Sequence, residues 1–293
     1  MTVSNNKGVA LIQVLIMTAI MSLIAIQFTQ TAREQVSTAQ SFKQRIKAEL
    51  LLKTTKSQLL FEFFKNDSSQ LSDKIVNGIK WNLRGKPFVF SANVKVKIQS
   101  ASGLLSVLTT SDEYWHKVLT YLGEDETSIT QIINSLRDWV DIDDNLRLDG
   151  AELNQYLAND KVGPRNGPLQ HISELSYING ISPQLYQQLK PLVTIYTTGS
   201  FNPSLAPKQL INALFSSDVA EQIIVAQNQA NFTEETWRNI VGSREYEFVD
   251  IHPRSTFMIN ITVEVGDVIL TEGFALKVQS QKARNPLTIL ANY

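Results

Sequence analysis

A long, mostly apolar stretch lies near the start of the chain, VALIQVLIMTAIMSLIAIQF, at residues 9–28. No charged residue lies between Lys7 and Arg33. Twenty residues at helical rise span about 30 Å, which matches the hydrocarbon core of a bilayer. The stretch is longer than the apolar part of a secretory signal peptide, and residues 30–64 follow it without proline or glycine. The pattern therefore predicts a membrane-spanning helix that is retained in the protein.

Residues 29–65 keep a helical period but alternate apolar and polar positions. Their apolar residues recur mostly three and four positions apart. This spacing predicts an amphipathic helix that continues the span and lays one face on a soluble domain. We expect the polar cluster at residues 66–69 to end the helix. The predicted face consists of Ala32, Val36, Ala39, Phe42, Ile46, Leu50, Leu59 and Phe63.

Two regions with the alternating pattern of β-strands flank a long helical region. Strands are predicted at residues 88–90, 94–99 and 104–108, and again at 257–265, 268–278 and 287–290. Gly266 and Asp267 form a predicted hairpin turn. Short helical segments lie between the two regions, with Ser128 and Asp218 among the predicted N-caps. This order predicts an α+β fold, in which a long N-terminal helix packs on a small antiparallel sheet and a large all-helical domain is inserted.

The predicted organisation has six parts. They are a polar leader at residues 1–8, a transmembrane segment at 9–28, an amphipathic continuation of the helix at 29–65, the first part of an α/β domain at 66–110, a helical insertion domain at 111–243, and the C-terminal strands of the α/β domain at 244–293.

Composition and charge exclude several kinds of function. The chain of 293 residues contains no cysteine, which excludes disulfides, thiolate nucleophiles and Cys-ligated zinc. Its net charge of −1 gives no electrostatic basis for binding nucleic acid. His116, His171 and His252 lie far apart, outside the spacings of metal-binding motifs. The sequence also lacks a nucleophile elbow and a glycine-rich phosphate loop.

The densest group of functional side chains lies in SLRDWVDIDDNLRLDGAELNQY, residues 135–156. Six carboxylates and one basic residue, Arg147, fall between Asp138 and Glu152. Oxygen-bearing residues occupy positions 1, 3, 5, 9 and 12 of a possible calcium loop, although Leu146 stands where such a loop requires glycine. Because the carboxylates repel one another, a bound Ca²⁺ would hold the loop closed. The candidate metal ligands are Asp141, Asp143, Asp144, Asp149 and Glu152.

Two other interpretations of this segment stay open. A run of acidic residues after an amphipathic helix is often only a solvated turn. Paired carboxylates can also act as catalytic acid and base, although nothing in the neighbouring sequence indicates a raised carboxyl pKa. Trp139 is a predicted core residue, and Asp138 is expected either to cap a helix or to bind the ion.

The N-terminal pattern resembles that of type IV pilins and of type II secretion pseudopilins. The resemblance implies that a prepilin peptidase cleaves after a glycine that precedes the apolar run, which makes Gly8 and Val9 the candidate processing residues. The fifth position of the resulting chain, usually glutamate in these families, is Gln13, a candidate assembly residue. The K-class minor pseudopilin characteristically lacks this glutamate. Basic residues after the span outnumber Lys7 before it, which by itself favours the opposite orientation; the pilin-like leader overrides this count.

Two further stretches resemble the K-class minor pseudopilin of type II secretion. DWVDIDDNLRLDGAE, residues 138–152, is similar to its acidic-loop signature, and residues 172–214 are similar to its downstream pattern, with a departure at residues 201–207. With the leader, the resemblance covers roughly residues 1–60 and 130–215. It implies a pseudopilin fold with a helical insertion, a structural Ca²⁺, prepilin processing and N-terminal methylation.

The function implied by this resemblance is that of a non-enzymatic minor pseudopilin. A single span would anchor it in the bacterial inner membrane with the C-terminal domain in the periplasm. It would form the tip of the pseudopilus and help initiate assembly for export of folded proteins across the outer membrane. The implied partners are minor pseudopilins of the I, J and H classes, the major pseudopilin and prepilin peptidase. The alternative function is that of a membrane-anchored periplasmic hydrolase that uses carboxylates of the acidic loop.

No nucleic-acid partner is expected from the sequence. Asn179 and Gly180 lie between two short predicted helices, an arrangement that resembles a helix-hairpin-helix. Such a module needs nearby basic residues for the phosphates, and only Lys190 and Lys208 are close in sequence. Helix packing is therefore the favoured interpretation.

Overall fold

The computed structural model describes residues 7–66, 75–76, 78–196, 200–229, 232–242, 248–251 and 255–293. Most of the predicted leader, His252 and the predicted boundary at residues 243 and 244 lie outside this part of the chain. The helices of the described residues are α1 (Lys7–Lys65), α2 (Asp112–Leu122), α3 (Glu126–Val140), α4 (Leu153–Leu157), α5 (Pro183–Leu189), α6 (Lys208–Leu214), α7 (Ser217–Asn228) and α8 (Glu234–Val241).

Five of the described strands form one antiparallel sheet in the order β3-β4-β7-β8-β9. These strands are β3 (Phe88–Ser91), β4 (Val94–Ser100), β7 (Thr256–Val265), β8 (Val268–Val278) and β9 (Leu287–Asn292). The turn predicted at Gly266 and Asp267 joins β7 to β8, and Gly266 has a φ of 56° there, which a residue without a Cβ adopts readily. Two short strands, β1 (Ile75–Val76) and β2 (Ile79–Lys80), pair separately.

The C-terminal third of α1 packs on this sheet. Ala48, Leu52, Leu59 and Phe63 are buried against apolar residues of β4, β7 and β8, and Thr55 lies among them with 3% exposure. Their spacing of three and four residues gives one stripe along the helix. The small side chains of Ala48 and Thr55 permit a close approach to the sheet.

The sequence therefore predicted the helix but assigned most of its buried face wrongly. Val36, Phe42, Ile46 and Leu50 are 66%, 65%, 42% and 60% exposed. They belong to a second apolar stripe, on the side of α1 that faces away from the sheet. An apolar periodicity shows that one face of a helix is buried, but it does not show whether that face packs on the same chain or on another one.

A second hydrophobic core lies within the helical domain. It begins at Leu105, includes residues of α2, α3, α5, α6 and α7, and has Phe248 and Val249 at its edge. The predicted strand at residues 104–108 is only β5 (Leu105–Ser106), and it does not join the main sheet. It pairs in parallel with β6 (Val193–Thr194), almost ninety residues later, and belongs to this second core.

Two of the predicted N-caps are also wrong. Helix α3 begins at Glu126, because the side chain of Asp125 accepts hydrogen bonds from the backbone N–H groups of Thr127 and Ser128. These bonds lower the pKa of Asp125. Helix α7 begins one residue before Asp218, at Ser217.

The segment 201–207, where the sequence departs from the family pattern, joins the two cores. Asn202 is fully buried; its Oδ1 accepts a hydrogen bond from the Ser204 N–H (2.9 Å), and its Nδ2 donates one to the Ile251 carbonyl (2.8 Å). Leu205 is part of the sheet core, and its carbonyl accepts a hydrogen bond from Gln99 Nε2 (3.1 Å). A well-defined turn thus fixes the helical domain against the sheet domain. The α+β fold class predicted from the sequence is confirmed.

Candidate functional site

The acidic segment connects two helices of the helical domain. Helix α3 ends at Val140, and α4 begins at Leu153, so residues 141–152 form a connection of twelve residues, the length of a calcium loop. Ile129, Ile132, Leu136 and Trp139 bury one face of α3 in the core. The segment is thus held at both ends by packed helices.

Asp138 is the carboxylate around which the loop is folded. It lies on the buried face of α3 with 0% exposure. Its Oδ1 accepts a hydrogen bond from Arg147 Nη1 (2.7 Å), and its Oδ2 accepts one from the backbone N–H of Arg147 (3.3 Å). Gly150 passes so close that a Cβ there would collide with Oδ2 of Asp138. The sequence signal for this buried, hydrogen-bonded position of Asp138 is that a carboxylate falls on the apolar face of a helix.

Arg147 also binds a second carboxylate. The same Nη1 donates a hydrogen bond to Oδ2 of Asp141, the first residue after α3. These hydrogen bonds to Asp141 and Asp138 raise the pKa of the Arg147 guanidinium. A single cationic group of the chain therefore links two carboxylates of the acidic segment.

Glu152 lies just before α4, and its backbone N–H donates a hydrogen bond to Gln155 Oε1 (3.1 Å). It is 4% exposed, and neither of its carboxylate oxygens has a hydrogen-bond partner in the part of the chain that the structure describes. Asp141 Oδ1 is likewise buried and unpaired within those residues. Burial, together with the negative charges of Asp138 and Asp141, raises the pKa of the Glu152 carboxyl to about 7. The expectation that nothing raises a carboxyl pKa in this loop is therefore wrong.

The other predicted ligands are exposed. Asp143 Oδ1 accepts a hydrogen bond from the Asn145 N–H (2.9 Å), and Asp144 Oδ1 accepts one from Asn166 Nδ2 (2.7 Å). Asp149 is exposed and has a φ of 57°. Among the described residues, no group of three or more His, Asp or Glu side chains is arranged so that it could hold a metal ion.

The donor set nevertheless has the chemistry of a site for a hard cation. Ca²⁺ takes six to eight oxygen ligands, and carboxylates are prominent among them. Buried carboxylate oxygens without a partner are costly unless a cation compensates them. The oxygens of Glu152 and Oδ1 of Asp141 are such groups, and Asp138 is their buried neighbour. These three residues fit the Ca²⁺ implied by the resemblance.

The structure gives packing roles to the other candidate features. Gly180 has a φ of 88°, and a Cβ there would meet Ile132 of α3 at 2.8 Å, so the turn at Asn179 and Gly180 packs on a helix. His171 Nδ1 accepts a hydrogen bond from the Ser173 N–H (3.2 Å) at the start of a short 3-10 helix. His116 Nε2 pairs with the exposed Glu126 (2.8 Å).

The second candidate surface is α1 itself. It is the one helix of the described chain that is long and apolar enough to span a membrane, with a mean hydropathy of 2.6 in its most apolar window and no buried residue there. Val9 and Gln13 lie in its first two turns and are exposed. Further along, Ile46, Leu50, Phe61 and Phe64 are 42–60% exposed on the side away from the sheet. At about 100° per residue these four positions fall on one side of the helix.

Comparisons with known proteins agree with these observations. Residues 95–198 match the model of the family described as type II secretion system (T2SS), protein K. The type II secretion system protein K of Klebsiella pneumoniae is 26% identical over 248 residues, which cover 76% of this chain and 75% of that protein. The protein of the same name from Pectobacterium carotovorum is 22% identical over 316 residues, covering 96% and 95%.

A solved structure has the same fold. The crystal structure of the GspK-GspI-GspJ complex from the type 2 secretion system of enterotoxigenic Escherichia coli matches with a TM-score of 0.59 at 18% identity, covering 87% of this chain and 98% of the other. Over residues 95–198, and along most of its length, the chain is thus similar to type II secretion system protein K.

Proposed function

We propose that this chain forms the tip of a periplasmic pseudopilus together with other minor pseudopilins and helps to initiate its assembly. In keeping with its similarity to protein K, it is a structural, non-enzymatic component of the secretion machinery. The pseudopilus in turn serves the export of folded proteins across the outer membrane. The carboxylates of the acidic loop are therefore interpreted as ion ligands and not as a hydrolytic pair.

The observation that carries the proposal is the outward-facing apolar stripe of α1. Its periplasmic part, from Phe42 to Phe64, presents large apolar side chains on the side that the sheet does not cover. Exposed apolar surface of this extent indicates a protein or membrane partner. Because the stripe continues the apolar segment at residues 9–28, we assign it to the helices of neighbouring pseudopilins.

The nature of these neighbours follows from the relatives. A protein K relative with this fold has been crystallised in complex with GspI and GspJ. We assign partners of the I and J classes to this chain, and we extend the proposal to the H class and to the major pseudopilin below the tip. The bulk of the helical domain, which has its own core, would block the addition of a further subunit above it.

The anchor follows the same proposal. A single helix holds the chain in the inner membrane, with the domain in the periplasm. Prepilin peptidase would cleave between Gly8 and Val9, and the new N-terminus would be methylated. Gln13 would then lie in the membrane as a neutral amide, as suits a subunit with no neighbour above it that requires a carboxylate.

Calcium is proposed as a structural ion of the helical domain. The buried Asp138 and Glu152 and the half-buried Asp141 would bind it, and the exposed Asp143, Asp144 and Asp149 are candidates for the outer ligands. The ion would supply positive charge and close the loop between α3 and α4.

Site-directed crosslinking in the membrane tests the assembly. The natural chain contains no cysteine, so a single Ile46→Cys substitution in the outward-facing stripe gives one reactive thiol. With I and J partners that carry a cysteine on the matching helix, a bismaleimide should produce a covalent heterodimer. Thr271→Cys is the control, because Thr271 is exposed on β8 and faces away from α1.

Two results would contradict the proposal. Equal crosslinking at Ile46→Cys and Thr271→Cys would mean that the stripe is not an interface. Crosslinks from Ile46→Cys to this chain alone, even when the I and J partners are present, would mean that the subunit is not placed beside them.

A further inference from the structure

Arg147 holds the acidic loop through the two carboxylates that a bound cation would also use. Its guanidinium binds Asp138 and Asp141 at once, and its backbone N–H binds the second oxygen of Asp138. Asp138 is fully buried, whereas the Arg147 side chain is 41% exposed. The guanidinium therefore reaches the buried Asp138 from the solvent-exposed side of the loop.

The charge of the cluster is not balanced by this contact. Asp138 and Glu152 are buried and Asp141 is half-buried, and Arg147 binds Asp138 and Asp141. Both oxygens of Glu152 and Oδ1 of Asp141 are left without a partner among the described residues. One guanidinium therefore compensates the cluster only in part, and the unpaired oxygens are available to a second cation.

The same contact engages side chains that a metal ion would need. Within the described chain they form no group that could hold a metal ion as they stand. The guanidinium lies against Asp138 and Asp141, and a calcium ion needs oxygen atoms at 2.3–2.6 Å on several sides. A calcium ion that coordinates Asp138 and Asp141 would therefore compete with the guanidinium for these carboxylates.

We propose that Arg147 is a tethered counter-cation, which pairs with Asp138 and Asp141 when no ion is bound and is displaced when a divalent cation binds to them and to Glu152. The inference rests on the calcium site of the proposed function. Arg147 thereby sets the affinity of the loop, because the ion binds only to the fraction of molecules in which the guanidinium has left. It also keeps the loop folded in the absence of calcium.

The test measures calcium affinity and calcium-free stability on the same protein. The full chain in detergent micelles is compared with its Arg147→Gln variant by calorimetric titration with CaCl₂ and by thermal unfolding in EDTA. We expect the two quantities to move in opposite directions. Arg147→Gln should lower the Kd for Ca²⁺ by about tenfold or more, because the competing charge is gone, and it should lower the unfolding temperature in EDTA.

Arg165 supplies a matched control. It binds the buried Glu174 (Nε to Oε2, 3.1 Å), and the two partners are nine residues apart, as are Asp138 and Arg147. Glu174 also accepts hydrogen bonds from the Gln170 and His171 N–H groups, which lower its pKa although burial acts to raise it. Arg165→Gln should lower the stability in EDTA but leave the Kd for Ca²⁺ within about twofold, since its guanidinium competes for no ion ligand.

A second variant keeps the test decisive if Arg147→Gln folds poorly. Arg147→Lys retains the charge, and its Kd for Ca²⁺ should lie within about threefold of that of the natural chain.

A Kd that rises or stays unchanged in Arg147→Gln would overturn the role of Arg147, while leaving the calcium site in place. The absence of any calcium binding or stabilisation in the natural chain would instead overturn the site itself.

Discussion

Replacing Glu152 with glutamine tests the electrostatics of the acidic loop. In the folded chain burial and the charges of Asp138 and Asp141 raise the pKa of Glu152 to about 7, from an ordinary value of 4.5. An acid whose pKa is raised on folding binds its proton more tightly in the folded state. Its contribution to stability is therefore most favourable below pH 4.5 and is lost as the pH rises to 7.

The magnitude follows from the size of this shift. The rise in the Glu152 pKa from 4.5 to about 7 corresponds to about 3 kcal/mol. Ionised Glu152 should therefore destabilise the calcium-free protein by about that amount above pH 7. In Glu152→Gln this pH dependence is removed. The buried amide adds a cost of its own for an unpaired polar group, about 1–3 kcal/mol, but that cost does not change with pH.

The assay is urea unfolding of the full chain in detergent micelles with EDTA, followed by tryptophan fluorescence. The difference in unfolding free energy between Glu152→Gln and the natural chain should shift by about 3 kcal/mol in favour of the variant between pH 4.5 and pH 8. Glu221→Gln, which removes an exposed carboxylate on α7, should show no such shift. Parallel pH profiles for the natural chain and Glu152→Gln would refute the interpretation that this carboxylate is buried and uncompensated.

Three further predictions concern the domain junction and the anchor. Gly103→Ala should destabilise the chain, because its Cβ would collide with the Leu205 carbonyl, whereas Gly167→Ala meets no atom within 4 Å and should be nearly neutral in thermal unfolding. Leu205→Ala should cost about 2–5 kcal/mol in urea unfolding, since this 1%-exposed side chain is buried in the sheet core. Gln13→Glu should reduce co-purification with I and J partners, because the carboxylate would have no cationic neighbour in the membrane; increased incorporation would contradict a position at the tip.

The sequence predicted where the helices and strands lie better than it predicted which of them pair or pack together. The hairpin of β7 and β8 and the length of α1 follow from local patterns of apolar residues and from one glycine turn. The pairing of β5 with β6 could not be predicted, because it joins residues almost ninety positions apart. The covered face of α1 could not be predicted either, since the helix carries one apolar stripe for its own sheet and another that is exposed.

The candidate site was predicted in its location but not in its inner structure. The acidic segment indicated a cation site, and Asp141 and Glu152 have the unpaired buried oxygens that such a site requires. Asp143, Asp144 and Asp149 were included because spacing alone does not distinguish a buried carboxylate from an exposed one. Asp138 became recognisable as the central carboxylate once the packing of α3 placed it on the buried face.

Intact-mass spectrometry of the chain, isolated from cells that contain prepilin peptidase, tests most directly whether it is a pseudopilin. The proposed function requires a protein that has lost residues 1–8 and begins at Val9, with the added mass of one methyl group. A chain that still begins at Met1, or one that has lost the whole apolar stretch to residue 28, would contradict it.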